Sequence, residues 1–252
     1  MKNAINIIQA DFFRLIRSRA VWLTEALMLL LVIWLNSIQE VGTMVGGGDA
    51  KNTITSWDGI HSIFNQSISA EYLIYFLTVI FILTTGVDLS KSLLKNIVSS
   101  GIPRESYFFS KYLVFNLISL LHFVVYYAIV FITASLFNGV GIITPDLLGR
   151  FFGTAALQYL FLQAIFAIGF FVLYLTFSAV WSVLSIILFP AIINMIHLIT
   201  KADWISYLDY HDALMIAQQL SQGKMMGLIF SAIAAIILLI GGTSMYFQRK
   251  GL

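Results

Sequence analysis

The chain has 252 residues, 60% hydrophobic and only 10% charged, with a net charge of +2 and no cysteine. A soluble domain carries about a quarter charged residues, so the composition excludes an ordinary soluble fold and reads as an all-α polytopic membrane protein. The missing cysteines exclude disulfides, thiolate metal sites and cysteine nucleophiles, and no nucleic-acid partner is expected.

Met1–Arg19 reads as an amphipathic helix lying along the membrane. Ile5, Ile8, Phe12 and Leu15 recur at helical spacing, and Asn6, Gln9, Arg14 and Arg17 fall away from that stripe. Arg14, Arg17 and Arg19 are expected to anchor the segment to anionic headgroups. A long basic segment with no small-x-small site after the first apolar run does not fit a cleavable signal. The first predicted span, Ala20–Ile38, contains Glu25. Glu25 lies about 9 Å of helical rise beyond Arg19, a shallow depth that favours a structural ion pair over a transport role.

Gln39–Ala70 reads as a loop. Its Gly46-Gly47-Gly48 run is not followed by the Gly-Lys-Ser/Thr of a phosphate loop. Trp57, Ile60, Ile63 and Phe64 suggest one face of a short interfacial helix, and the sequon Asn65-Gln66-Ser67 is taken as chance. The second and third predicted spans are Tyr72–Val87 and Tyr112–Leu136, with His122 expected as a hydrogen-bonded packing residue. Between them runs the polar stretch Asp88–Lys111, carrying Lys91, Lys95, Arg104 and Lys111 against Asp88 and Glu105. Within it Lys91–Ser99 is predicted to form a short helix with Leu94, Ile97 and Val98 on one side, stopped by Gly101 and Pro103.

Asn138–Arg150 is a predicted outer loop turning at Thr144-Pro145-Asp146, and Gly149 to Gly153 matches the small-xxx-small packing pattern. The remaining spans are Phe152–Phe177, Val180–Ile199, interrupted by Pro190, and Met225–Phe247. Asn194 and His197 are polar positions near the far end of the fifth. The outer segment Thr200–Gly223 contains Asp209, His211 and Asp212, whose spacing does not put all three on one helical face. No metal site is expected there, and the cluster reads as a solvated polar edge.

Six spans with both termini in the cytoplasm put Lys2, Arg14, Arg17, Arg19, Lys91, Lys95, Arg104, Lys111, Arg249 and Lys250 inside, leaving Lys51, Arg150, Lys201 and Lys224 outside. That distribution satisfies the positive-inside rule. There is no internal repeat of the kind found in inverted-repeat transporters. The chain lacks Gly-x4-Gly-Lys-Ser/Thr, His-Glu-x-x-His and Gly-x-Ser-x-Gly, so it is not expected to be an enzyme.

The run from Leu94 to Arg104, LKNIVSSGIPR, followed by Tyr107 and Lys111, resembles the loop after the second span of type-2 ATP-binding-cassette permeases, where a short cytoplasmic helix docks on a partner ATPase. The family's usual Glu-x-x-x-Gly-Thr before this run is replaced here by a region holding Asp88, Lys91 and Ser92, without the Gly-Thr turn. The resemblance extends to an "elbow" helix at residues 1–19, a coupling loop at 88–111 and an outer re-entrant segment within 200–223, centred on Leu208–Gln219. It implies ATPase coupling by Lys91, Leu94, Lys95, Ile97, Val98, Arg104 and Glu105. It also implies a separate cytoplasmic ATPase carrying ATP and Mg, and a second permease subunit, identical or related. Small permeases of this appearance, in bacterial cell membranes, include exporters of membrane-active peptides such as lantibiotic-type bacteriocins. The Phe-, Ile- and Leu-rich spans suit a hydrophobic or amphipathic cargo. The alternative is a non-transporting membrane immunity, sensor or assembly protein.

Overall fold

The computed structural model describes residues 2–41, 56–90 and 103–249, and among them there is helix and no strand. Six helices are long and apolar enough to cross a membrane: span 1 (Arg19–Ile38), span 2 (Gly59–Leu89), span 3 (Arg104–Asn138), span 4 (Pro145–Thr176), span 5 (Ala179–Thr200) and span 6 (Gln222–Arg249). A helix suits such segments because lipid supplies no hydrogen bonds and the helix satisfies its own backbone. The 35 residues of span 3 extend about 52 Å at the α-helical rise, well beyond a hydrocarbon core about 30 Å thick. The N-terminal helix, Lys2–Ile16, packs on span 3. It lies at the end of the bundle where Arg104 meets the last turns of span 6, hereafter the terminal end.

Three predicted boundaries move. The interfacial helix expected around Trp57–Phe64 is the first stretch of span 2, capped by Asp58, whose carboxylate accepts from His61 N at 3.0 Å. Ile60, Ile63 and Phe64 are buried, in the part of span 2 that packs on span 3. The helix continues because a 3-10 turn, Ile68–Glu71, carries the chain from one α-helical stretch into the next. The polar stretch is also shorter than read: Arg104–Lys111 forms the first two turns of span 3, and Asp88 lies in the last turn of span 2. Span 4 begins at Pro145, where Thr144 caps and proline occupies the first turn, so the predicted outer loop shrinks to a few residues.

Spans 4 and 2 form the centre, with the largest buried shares of the six. Phe81 of span 2, Phe115 of span 3 and Phe166 and Phe170 of span 4 interlock, with centroids 4.7–5.9 Å apart. Towards the terminal end Tyr174 stacks edge-on against Phe108 and Phe247 at 4.9 and 5.0 Å. Without a hydrophobic drive between helices in lipid, such close van der Waals and aromatic contacts hold the bundle.

Small residues matter at a different place from the one their spacing suggests. Gly149 and Gly153 face open space. Gly169 of span 4 lets span 5 approach, since a Cβ there would fall 2.6 Å from Ile186 Cδ1, and Ser182 Oγ donates to the Gly169 carbonyl at 2.7 Å. Gly169→Val should therefore lower stability by about 1–3 kcal/mol. Gly153→Ala should leave it unchanged or raise it by up to about 1 kcal/mol through helix propensity. Thermal unfolding in detergent distinguishes the two.

Candidate functional site

Four charged side chains from three elements meet at the terminal end, around the end of span 2 and the start of span 3. Asp11 comes from the N-terminal helix, at the spacing of Ile8 and Leu15 and so on the buried stripe. Asp88 comes from the last turn of span 2 and Lys111 from the second turn of span 3. Lys111 Nζ lies 2.7 Å from Asp11 Oδ1 and 2.5 Å from Asp88 Oδ2, with all three side chains buried. Arg14 closes the cluster from the side, 2.6 Å from Asp88 Oδ1 and 3.2 Å from Asp11 Oδ1, and is 40% exposed.

The backbone of span 2 completes this hub. Residues Ile82–Gly86 form a π-helical turn, which inserts a residue and disturbs the regular ladder of carbonyl acceptors. The exposed acceptors are used: Arg14 Nη2 donates to Leu83 O at 2.9 Å and Thr84 O at 3.0 Å, and Lys111 Nζ donates to Thr84 O at 3.2 Å. The cluster is thus neutral in formal charge, two carboxylates against two cations, and is bonded to a helix irregularity rather than to a regular turn. Burial pushes the Asp11 carboxyl above its usual range, and the attraction of Lys111 only partly offsets this. Burial opposes the Arg14 charge most strongly, but its bond to Asp88 together with the attraction of Asp88 and Asp11 outweighs that and holds the guanidinium above its ordinary value.

A second polar cluster closes the opposite end. The 3-10 turn of span 2 exposes carbonyls just before it, and neighbours answer them. Tyr126 OH donates to Gln66 O at 2.8 Å, and Gln158 Nε2 to Ser67 O at 2.8 Å. Gln158 Nε2 also donates to Leu214 O at 2.8 Å, while its Oε1 accepts from Tyr127. Leu214 belongs to the short helix Tyr210–Met215, between spans 5 and 6, which packs on span 4 and on the 3-10 turn. Gln218, just beyond it, donates to Phe64 O at 2.5 Å and contacts Ser67 Oγ.

The predicted site residues divide as follows. Lys91, Leu94, Lys95, Ile97 and Val98 lie outside the described residues. Arg104 and Glu105 stand in the first turn of span 3; Glu105 is exposed, and Arg104 reaches the Phe247 carbonyl at 3.4 Å, so it joins spans 3 and 6. Arg14 faces the hub rather than headgroups, because the π turn and Asp88 offer it acceptors. Arg17 and Arg19 are exposed, with Arg17 over the Phe13 ring at 4.0 Å. Glu25 and His122, from spans 1 and 3, meet each other. His197 is half-buried near the end of span 5 and takes part in neither cluster.

The outer acidic residues are not a solvated edge. Asp209 and His211 are buried, Asp209 caps the short helix by accepting from Asp212 N at 3.0 Å, and His211 Nε2 lies 3.6 Å from buried Glu71. Burial raises the Asp209 carboxyl and lowers the His211 imidazole. Among the described residues no group of acids and histidines is arranged to hold a metal. Asp11 and Gln158 carry no role in the sequence reading. An acid on an apolar helical stripe was the available signal for Asp11, whereas nothing local distinguishes Gln158.

Two substitutions test these clusters. Lys111→Met leaves two buried carboxylates facing each other and should cost about 3–5 kcal/mol, with Arg14→Met costing less because Arg14 is half-exposed. Gln158→Leu strips partners from Tyr127 and two carbonyls and should cost about 1–3 kcal/mol for each buried group left unpaired. Both are read by chemical or thermal unfolding of the purified chain. No protein-family model matches this chain, and no curated protein matches it.

Proposed function

We propose that this chain is the permease subunit of an ATP-driven exporter, moved by a separate cytoplasmic ATPase through the loop that follows span 2. The observation that carries this reading is the hub. Residues 91–102 connect span 2, just after Asp88, to span 3, ahead of Lys111, and both Asp88 and Lys111 bond to each other and to the N-terminal helix. A force applied to the loop therefore reaches spans 2 and 3 and the N-terminal helix through one charge cluster. Charge contacts anchored on a π turn offer alternative partners within reach, which interlocked aromatic rings do not.

In this reading Lys91, Lys95 and Glu105 orient the ATPase contact, and Leu94, Ile97 and Val98 fill its groove. The hub transmits the difference between the ATP-bound and empty states of the partner. Arg104 acts by holding spans 3 and 6 together. Two copies, or this chain and a related one, enclose the pathway. An apolar groove of about 590 Å³ opens between spans 3 and 4, lined by Phe123, Tyr127, Phe131, Phe151, Ala155 and Tyr159. Its size lies in the range of about 300–1,000 Å³ typical of ligand sites, and its lining supports a hydrophobic or amphipathic cargo such as a membrane-active peptide.

Two measurements test the proposal. Lys95→Cys in intact cells should be shielded from a membrane-impermeant maleimide and become reactive on permeabilisation; labelling without permeabilisation removes the coupling role. Co-expressed with an ATPase encoded beside it, the chain should co-purify with that ATPase and change its hydrolysis rate. Lys91→Glu with Lys95→Glu should abolish the association while leaving thermal stability unaltered. A stable chain that neither binds nor affects the ATPase points instead to the non-transporting immunity or sensor role.

A further inference from the structure

The apolar groove between spans 3 and 4 runs along residues 120–131 of span 3 and 151–159 of span 4, with buried Ile63 of span 2 also lining it. Lys111 of the hub marks depth on span 3. At the α-helical rise the groove lies about 13–30 Å beyond it, within reach of a hydrocarbon core about 30 Å thick and in the half of the bundle away from the hub. Leu120, Val124 and Phe152 line the groove and are exposed, so it is continuous with the surface that spans 3 and 4 turn to the membrane.

Three occupants differ in what they require. Water needs polar partners, and an apolar cavity stays dry. The two hydroxyls of the lining are engaged, Tyr127 with Gln158 and Tyr159 with the Asn116 carbonyl at 2.9 Å, so neither has a hydrogen to offer a water. A spanning helix of a second copy is about 10–12 Å across with its side chains. Over the roughly 16 Å between Leu120 and Phe131 such a helix fills about 1,300–1,900 Å³, well over the groove's 590 Å³. An acyl chain is thinner than a helix, carries no hydrogen-bonding group and already surrounds this surface. Seated in the groove it gains van der Waals contact on several sides, the attraction that holds apolar groups together where there is no water to expel.

Charge does not select a head group here. Among the described residues the lining contains no charged side chain. Exposed Arg150 stands two residues before Phe152 on span 4, about 200° around the helix, so it points away from the side of the groove that Phe152 forms.

We propose that this groove binds one acyl chain of a membrane phospholipid, taken from the leaflet away from the hub and recognised by shape rather than by head group. The inference rests on the export reading for the groove's part in transport, and deepens it by specifying a single apolar chain as the part of a ligand that enters. Its test uses neither ATPase nor cargo. The protein can hold lipid and fail to bind an ATPase, or the reverse, so the two failures are read separately.

The test uses the 252-residue protein in phosphatidylcholine nanodiscs containing a small fraction of the same lipid with a diazirine at mid-chain, followed by photolysis and peptide mapping. Adducts on residues 120–131 and 151–159 should exceed those on the exposed Phe230, Ile237 and Leu238 of span 6 by about five-fold. Ala128→Trp with Ala156→Trp fills the groove from two exposed positions and should remove that excess, whereas Leu238→Trp should not. Replacing phosphatidylcholine by phosphatidylglycerol, probe included, should leave the excess unchanged. Adducts spread evenly over spans 3, 4 and 6, an excess untouched by the paired tryptophans, or one that follows head-group charge overturns the proposal. So does a groove shielded from lipid whose spans 3 and 4 crosslink between two copies, which assigns it to a second copy of the chain. Should the paired variant not fold, Ala156→Trp alone makes the comparison.

Discussion

Lipid offers no hydrogen bond, so every place where a spanning helix leaves α-helical geometry must be answered by a neighbour. Span 2 departs from it twice, in a 3-10 turn and in a π turn, and the polar architecture of the molecule follows from those two breaks. At one, Tyr126, Gln158 and Gln218 supply donors from span 3, span 4 and the segment between spans 5 and 6. At the other, Arg14 and Lys111 do so from the N-terminal helix and span 3. The polar groups sit where backbone acceptors are freed, and the aromatic core fills the regular stretch between.

The two ends differ in chemistry, and that difference matters for function. The cluster at the opposite end is mainly amide and hydroxyl, with Gln158 fixing three partners from three elements, an arrangement suited to rigid closure. The terminal cluster is ionic, with Arg14 half-exposed and Asp11 Oδ2 and Arg14 Nε buried without partners. Buried polar groups that are only partly satisfied rearrange at lower cost than a fully bonded network. That makes the terminal hub the more readily rearranged of the two ends.

Span 1 behaves differently again. Its buried face is narrow, Thr24, Met28, Val32, Leu35 and Asn36, while Trp22, Leu23, Leu30 and Trp34 are exposed. Thin apolar burial makes its polar contacts with span 3, Asn36 with Val130 and Thr133 above all, disproportionately important. A helix so held can move as a unit without disturbing the aromatic core, which lies in spans 2, 3 and 4.

The amino-acid order alone determined the class and the number of spans, because apolar runs of membrane length separated by charged loops leave few alternatives. It also indicated the amphipathic N-terminal helix and the tight connection near Phe177 between spans 4 and 5. The fold decided what local pattern does not encode. Residues 59–67 are polar enough to read as interfacial, yet they extend span 2, because their side chains bond the Glu40, Ser56 and Trp57 carbonyls while Tyr126, Gln158 and Gln218 answer their own carbonyls. Arg14 reads as a headgroup anchor from its position off the stripe, but a π turn in span 2, a long way along the chain, supplies the acceptors that turn it inward. Gly169 rather than Gly149 and Gly153 admits a neighbouring helix, since which small residue matters depends on the helix that approaches it. Hydropathy is a local, additive property and survives reading in one dimension. Hydrogen-bond satisfaction is a pairing between distant residues, and only the packed bundle reveals the partners.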